Sequence, residues 1–237
     1  MSKTIIITGA SKGIGRSTAE VLLKAGYRCA LAARSTESLQ DLADRYPNQT
    51  LIEPTDVSRL EEVKRLVEAT VKRFGGVGVL VNNAGLGTFD PIQDGKPDEW
   101  DRMIDVNIKG VLYAIHAVLP HMLQQQDGHI INLASVAGHH VYPNGAVYAA
   151  TKHAVRAISE GLRQDLRGKI RVTTISPGAV NTPFPENISN PELRAHFEEN
   201  LGHGLDPAVV AQAIHQAIAY PDRVMRSEII LRPFHRQ

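Results

Sequence analysis

The sequence predicts an α/β fold, a doubly wound parallel sheet of about seven strands with helices on both faces. Three features carry this expectation. Short β-branched runs alternate with longer amphipathic stretches along all 237 residues. The strand segments are apolar throughout instead of alternating, the pattern of strands buried on both faces. The first of them runs straight into a glycine-rich turn that opens a helix.

Thr4–Thr8 (TIIIT) is a buried strand by its run of isoleucines, and Ile14–Ala25 is a helix closed by Gly26. Arg28–Ala33 is a second strand, and Thr36–Arg45 is a helix that ends before Pro47. Leu51–Glu53 is a short third strand, a helix follows from Arg59 to Phe74, and Val77–Val81 is a fourth strand. A long helical region runs from Pro97 to about Gln126, with Pro120 expected to bend it because proline removes a ladder hydrogen bond. His129–Leu133, Arg171–Ile175 and Glu228–Leu231 complete the strands, separated by helices at Ala146–Leu166 and Pro207–Ala219. The last helix carries its own start signal, Asp206 as cap followed by proline. Only Pro177–Asp206 breaks this rhythm and reads as irregular; loops of that length in compact domains serve as lids or binding loops. With no internal repeat or interdomain linker, residues 1–237 are expected to form one domain, with 177–206 as its lid.

Composition narrows the function classes. A hydrophobic share of 43% supplies a sizeable core, and a net charge of +1 with interspersed signs implies neither nucleic acid nor an anionic membrane as partner. The single cysteine, Cys29, allows no internal disulfide and fits a reducing compartment. The N-terminal isoleucine run is too short for a signal peptide, and no apolar run is expected to span a bilayer. A cytoplasmic location is the expectation. No Cys/His set has metal-like spacing, and no metal is expected.

Thr8-Gly9-Ala10-Ser11-Lys12-Gly13-Ile14-Gly15 follows the first strand directly. Glycines let a backbone turn tightly against a pyrophosphate, and the free N–H groups of a helix start attract its charge. Such a turn can also be a plain strand–helix connection; its place after the first strand of a βαβ unit favours a nucleotide site. The second strand ends Ala32-Ala33-Arg34-Ser35, without the acid that bonds a ribose 2′-hydroxyl in NAD sites. Arg34 could instead grip a 2′-phosphate with its planar fork, and Lys12 could add a second positive charge. Both could equally be solvated surface bases. Their joint placement favours NADP(H).

Among six tyrosines, only Tyr148 has a lysine four residues later, Lys152. Residues four apart share a helical face. A nearby ammonium favours phenolate over a phenol that ionises near ~10 in water. Ser135, brought beside the phenol, could hydrogen-bond a substrate oxygen.

Taken together, these residues resemble the short-chain dehydrogenase/reductase family over nearly the whole chain. Gly9 through Gly15 is similar to its coenzyme turn, including Ser11, Lys12, Gly13 and Ile14. Asp56-Val57 resembles its adenine-contacting pair, and Asn82-Asn83-Ala84-Gly85 its NNAG segment. Asn107 matches its active-site asparagine, Ser135 its serine, and Tyr148 with Lys152 its Tyr-x-x-x-Lys. Pro177-Gly178 through Val180 to Thr182 resembles the segment that holds the nicotinamide carboxamide. The resemblance implies a Rossmann-type fold and a small-molecule carbonyl or alcohol substrate. In it, Tyr148 is general acid or base, Lys152 lowers its pKa and holds the nicotinamide ribose, Ser135 polarises the carbonyl, and Asn107 supports a water relay. It also implies a homodimer or homotetramer, to which the alanine- and valine-rich helices at Pro97–Gln126 and Ala146–Leu166 are suited.

Two other functions stay open on the sequence: an NAD-dependent alcohol dehydrogenase, and a redox-silent NADP-binding regulator. The substrate wall is expected from Phe89, Val141, Tyr142 and Phe184, in the segments Leu86–Pro91, Val136–Pro143 and Pro183–Leu201. Arg194, His196, Glu198 and Glu199 would be rim charges. His139 and His140 are expected in the substrate cleft or facing solvent.

Overall fold

The computed structural model describes residues 3–199, 202–221 and 223–234. Its strands are β1 (Thr4–Thr8), β2 (Arg28–Ala33), β3 (Thr50–Pro54), β4 (Val79–Asn82), β5 (His129–Leu133), β6 (Arg171–Pro177) and β7 (Glu228–Leu231). They form one seven-stranded sheet in the order 3-2-1-4-5-6-7, each neighbouring pair parallel. The expected doubly wound sheet is present. Strand order reverses between β1 and β4, and a crevice beyond the carboxyl ends opens where it does.

Successive side chains on a strand point to opposite faces, so β1 feeds two cores at once. Ile5 and Ile7 join Leu22 and Leu23 of α1 (Gly13–Lys24), Leu42 of α2 (Gln40–Arg45), and Val210 and Ile214 of α8 (Pro207–Ala219). Ile6 joins Leu66 of α3 (Leu60–Phe74), Val111 and Val118 of α5 (Gly110–Gln125), and Val155 of α6 (Ala146–Asp165). This is why the strand runs are apolar without alternation: both faces are covered. Cys29 is buried in the first of these cores.

Three elements differ from expectation. The long helical region is interrupted at Asp105–Lys109 by a π-helical turn between α4 (Pro97–Ile104) and α5, while α5 continues through Pro120. The wider turn aims Asn107 at the backbone of Leu86, and those tertiary hydrogen bonds outweigh one turn of regular ladder. By length and composition, Pro97–Gln125 is also apolar enough to cross a membrane, contrary to expectation. In this fold the buried side of α5, from Val111 to Met122, packs into the second core. The third difference is in Pro177–Asp206. It contains a 3-10 turn at Phe184–Asn187 and a helix, α7 (Pro191–Glu199); residues 200 and 201 of this stretch lie outside the described residues. Asn190 caps α7, its Oδ1 accepting from the N–H groups of Glu192 and Leu193, each at 3.1 Å.

Candidate active site

A cleft of about 1250 Å³ lies across the carboxyl ends of the strands, larger than the ~300–1,000 Å³ usual for one drug-sized ligand. Its floor begins at the glycine turn. Gly9 and Gly13 have φ of +65° and +57°, left-handed values that favour glycine. A Cβ on Gly9 would stand 2.8 Å from Ala84 Cα, and one on Gly15 would stand 2.2 Å from the Gly9 carbonyl oxygen. The turn is therefore seated directly on the 83–84 backbone. Thr8 Oγ1 accepts from the N–H groups of Asn83 and Ala84, each at 3.1 Å, and Asn83 Nδ2 donates to the carbonyls of Thr8 at 2.9 Å and Gly9 at 3.0 Å. Lys12 occupies the cap of α1 without a side-chain cap bond, and the first turn contains no acid. Its N–H groups face an anion with no competing side chain. Two residues of the Gly9–Gly15 turn, Ala10 and Gly15, do not line the cleft: Ala10 is buried in the core and Gly15 packs against the Gly9 carbonyl.

Arg34 is exposed at one end of this floor, beside Asp56, Val57 and Ser58. It makes no side-chain hydrogen bond or close ion pair among the described residues, and its charge acts on Asp56. Partial burial works against ionisation of Asp56, but bonds from the Ser58 hydroxyl and N–H, together with Arg34, hold its carboxyl below the usual range. Lys12 has a different partner from the one expected. Its ammonium meets Glu186 at 2.6 Å, so it ties the glycine turn to the 3-10 turn at Phe184–Asn187. Both side chains are more than half exposed, and such a pair contributes little stability.

The four proton-handling candidates come from three elements. Ser135 follows β5, Tyr148 and Lys152 lie one turn apart on α6, and Asn107 sits in the π-helical turn. The Ser135 hydroxyl lies near enough to the Tyr148 phenol to favour its ionisation, and it accepts from the Ala137 N–H at 3.1 Å. Lys152 is buried; its Nζ donates to the Leu133 carbonyl at 3.0 Å and lies 5.8 Å from the Tyr148 ring centroid. Asn107 is buried and does not line the cleft. Its Nδ2 donates to the Leu86 carbonyl at 2.8 Å and the Thr151 hydroxyl at 3.0 Å, and its Oδ1 accepts from the Leu86 N–H at 2.9 Å. Its side-chain amide thus holds the segment carrying Gly85 and Leu86 against α6.

Electrostatics here depart from expectation. Burial pushes the Tyr148 phenol up to about 12, against the opposing effect of the Ser135 hydroxyl. Burial pushes Lys152 down to about 8. A lysine one turn away was expected to lower the phenol; loss of hydration around the phenolate outweighs that attraction. For Lys152 the consequence for stability has a definite sign. Above about 8 the folded chain releases the proton, whereas an unfolded lysine holds it to ~10.4, so stability rises with pH in that window. Thermal melts of wild type and Lys152→Met are expected to diverge in favour of wild type from pH 8 to 10. A constant gap between them would count against the burial of this ammonium.

The stretch after β6 folds over the cleft. Gly178 N–H donates to the Leu231 carbonyl at 2.7 Å, Val180 bridges Leu205, and Thr182 packs on Gly13. Asn181 ties the two ends together, its Oδ1 accepting from the Gly202 and Gly204 N–H groups at 3.0 Å. Farther out, Asn190 Nδ2 donates to Asp90 at 2.8 Å, and Lys96 Nζ donates to the Ser189 hydroxyl at 2.7 Å. Phe184 comes to 5.6 Å from Tyr148 between ring centroids, and Phe197 to 4.7 Å from Phe89.

Phe89, Tyr142 and Phe184 line the cleft as expected, and His196 stands at it, but Val141 does not line it and is 65% exposed. Leu193 and Phe197 line it too and escaped the sequence reading, which missed α7. The signal was present: Asn190-Pro191-Glu192 is a cap followed by proline. Neither His139 nor His140 lines the cleft. His139 turns away to Ser176 at 3.1 Å and Glu228 at 3.4 Å, and His140 is exposed.

The sequence profile described as short chain dehydrogenase matches residues 3–193 of this chain. The chain belongs to the short-chain dehydrogenase/reductase family. An uncharacterised oxidoreductase of Staphylococcus saprophyticus is 46% identical to this short-chain dehydrogenase over 235 residues, 98% of this chain and 96% of that protein. The structure of an alcohol dehydrogenase from the archaeon Thermococcus sibiricus, complexed with 5-hydroxy-NADP, is similar with a TM-score of 0.89 at 30% identity, covering 100% of this chain and 99% of that one. A short-chain dehydrogenase/reductase from Burkholderia phymatum in complex with NAD has a TM-score of 0.89 at 29% identity, covering 97% and 88%. This short-chain dehydrogenase is an NAD(P)-dependent oxidoreductase acting on small molecules. The site fits such a coenzyme: no side chain fits at Gly9 or Gly15, and the α1 start carries N–H groups without a side-chain cap.

Proposed function

We propose that this chain is an NADP(H)-dependent carbonyl reductase, running in reverse as an alcohol dehydrogenase, with Tyr148 as general acid and base. The observation that carries the reading is the convergence of Ser135, Tyr148 and Lys152 on the cleft, with the Lys152 Nζ 5.8 Å from the Tyr148 ring centroid. When bound, the nicotinamide supplies the hydride in reduction and accepts it in oxidation. Ser135 donates a hydrogen bond to the carbonyl oxygen and orients it. Tyr148 delivers its phenolic proton to that oxygen as the carbon takes up hydride, leaving an alcohol and a phenolate that regains a proton from solvent. Lys152 stabilises that phenolate, and its ammonium would hold the nicotinamide ribose. Asn107 acts by position, fixing Leu86 and, through Thr151, the turn of α6 that carries Tyr148.

Gly9, Ser11, Lys12, Gly13 and Ile14 would hold the coenzyme's pyrophosphate, Asp56 and Val57 its adenine end, and Asn83, Ala84, Gly85, Pro177, Gly178, Val180 and Thr182 its nicotinamide end. Arg34 supports NADP(H) over NAD(H): it is a guanidinium without a close partner where an acid would hold a 2′-hydroxyl. The test is turnover of a carbonyl panel with each reduced coenzyme. Reduction by NADPH in preference to NADH is expected; absence of turnover with both overturns the reading.

The whole chain works as one catalytic unit with residues 177–206 as its lid, latched by Lys12–Glu186 and Asn190–Asp90. Lid closure excludes water from hydride transfer. Added NADPH is expected to slow amide hydrogen exchange across this stretch, and unchanged exchange with coenzyme and inhibitor bound would count against a lid. The enzyme is a homodimer or homotetramer: Ile104, Leu112 and Leu123 leave apolar surface exposed on α4 and α5. Light scattering should give a multiple of 25.9 kDa at micromolar concentration; a 25.9 kDa species throughout refutes it.

A further inference from the structure

Aromatic residues are scarce in this chain, 5% of the sequence, yet three of its five phenylalanines form one cluster with Tyr148: Phe89 and Phe184 touch its ring, and Phe197 joins through Phe89. Phe89 comes from the segment after β4, Phe184 from the 3-10 turn and Phe197 from α7. Ring centroids lie 5.3 Å apart for Phe89 and Tyr148, 5.6 Å for Tyr148 and Phe184, 4.7 Å for Phe89 and Phe197, and 6.2 Å for Phe89 and Phe184. All are tilted or edge-on, in the 4.5–7 Å range where aromatic rings attract one another. Phe89 is buried, whereas Phe184 and Phe197 ride on the lid and keep partial exposure toward the cleft. Gly87 leaves the room: a Cβ there would stand 2.5 Å from Phe184 Cζ and 2.9 Å from Tyr148 Cδ2.

The charges around this box disfavour an anion. Lys152 is committed to the Leu133 carbonyl and Lys12 to Glu186. The α4 wall presents Asp98, Asp101 and Arg102, one positive charge against two negative. A carboxylate substrate would meet an apolar ring cluster and a net negative wall, with its hydration lost and no cation gained.

Resting on the reductase reading above, we propose that the substrate is an uncharged carbonyl compound bearing a flat aryl group, which inserts among Phe89, Phe184 and Phe197 while its carbonyl oxygen meets Tyr148 and Ser135. Small ketones and free keto acids are poor substrates. The lid carries two of the three rings, so closing the lid and seating the aryl group are one event.

The test compares ethyl benzoylformate, benzoylformate and ethyl pyruvate on the coenzyme-loaded enzyme. With NADPH, kcat/KM for the aryl ester is expected to exceed that for the acid and for the small ester by roughly tenfold or more. Phe197→Ala is expected to raise KM for the aryl ester roughly three- to tenfold more than it raises KM for ethyl pyruvate. Calorimetric binding to the wild-type NADP⁺ complex reads the same order without turnover. Preference for the acid or the small ester, or an equal loss on both esters in Phe197→Ala, overturns the aryl site. Binding in the expected order with no reduction of any carbonyl overturns the reductase reading and leaves the aryl site standing.

Discussion

Turnover of Tyr148→Phe is expected to fall by roughly 10²–10⁴-fold or more, with fold and coenzyme affinity nearly intact. The substitution keeps the ring contacts with Phe89 and Phe184 and removes only the hydroxyl near Ser135. Because burial holds this phenol at about 12, it is protonated throughout the neutral range and ready to act as an acid. Carbonyl reduction therefore needs no prior ionisation. Alcohol oxidation needs the phenolate, so its rate should climb as pH rises toward that value. Ser135→Ala should lower turnover less and leave coenzyme affinity unchanged, since its partner is the substrate oxygen. The measurements are kcat, coenzyme affinity and a thermal melt for each variant. A folded Tyr148→Phe enzyme with near-wild-type turnover removes the mechanism.

Arg34→Asp is expected to shift coenzyme preference from NADPH toward NADH by roughly one to two decades, about 1.4–3 kcal/mol. The change removes a guanidinium available for a phosphate and places a carboxylate at the tip of β2, where it repels phosphate and can accept from a ribose hydroxyl. The exposed position of Arg34 keeps the substitution from disturbing the core. Lys12→Ala should have a smaller effect on preference, because its ammonium already meets Glu186. The ratio of kcat/KM for the two coenzymes is the readout. Unchanged NADPH preference in Arg34→Asp, or a wild type that prefers NADH, sinks the assignment.

Several elements were legible because their signals are local. The isoleucine run of β1, the glycines after it and the Asp206-Pro207 start of α8 each carry their own instruction, and each formed where expected. The neighbouring Asn190-Pro191 start carried the same instruction and went unread within a stretch treated as irregular. β6 runs on to Pro177 because β7 pairs with it through Leu231, a partner more than fifty residues away that no local pattern displays. The π-helical turn is of the same kind, since the hydrogen bonds that pull Asn107 out of register come from Leu86 and Thr151.

From the sequence by itself came the parallel α/β sheet and the glycine turn, because periodicity and spacing along one chain encode them, and Ser135, Tyr148 and Lys152 as candidates, from spacing together with the family resemblance. Only the tertiary structure decided the direction of the Tyr148 and Lys152 pKa values, since desolvation depends on what surrounds a group in space. It also decided that Lys12 faces Glu186, that His139 turns to Ser176 and Glu228, and that Phe89 and Phe184 meet Tyr148 while Phe197 packs on Phe89. Those three rings are spread over more than a hundred residues. Their contact is set by where β4, the 3-10 turn and α7 end, and the energies that join them act through space.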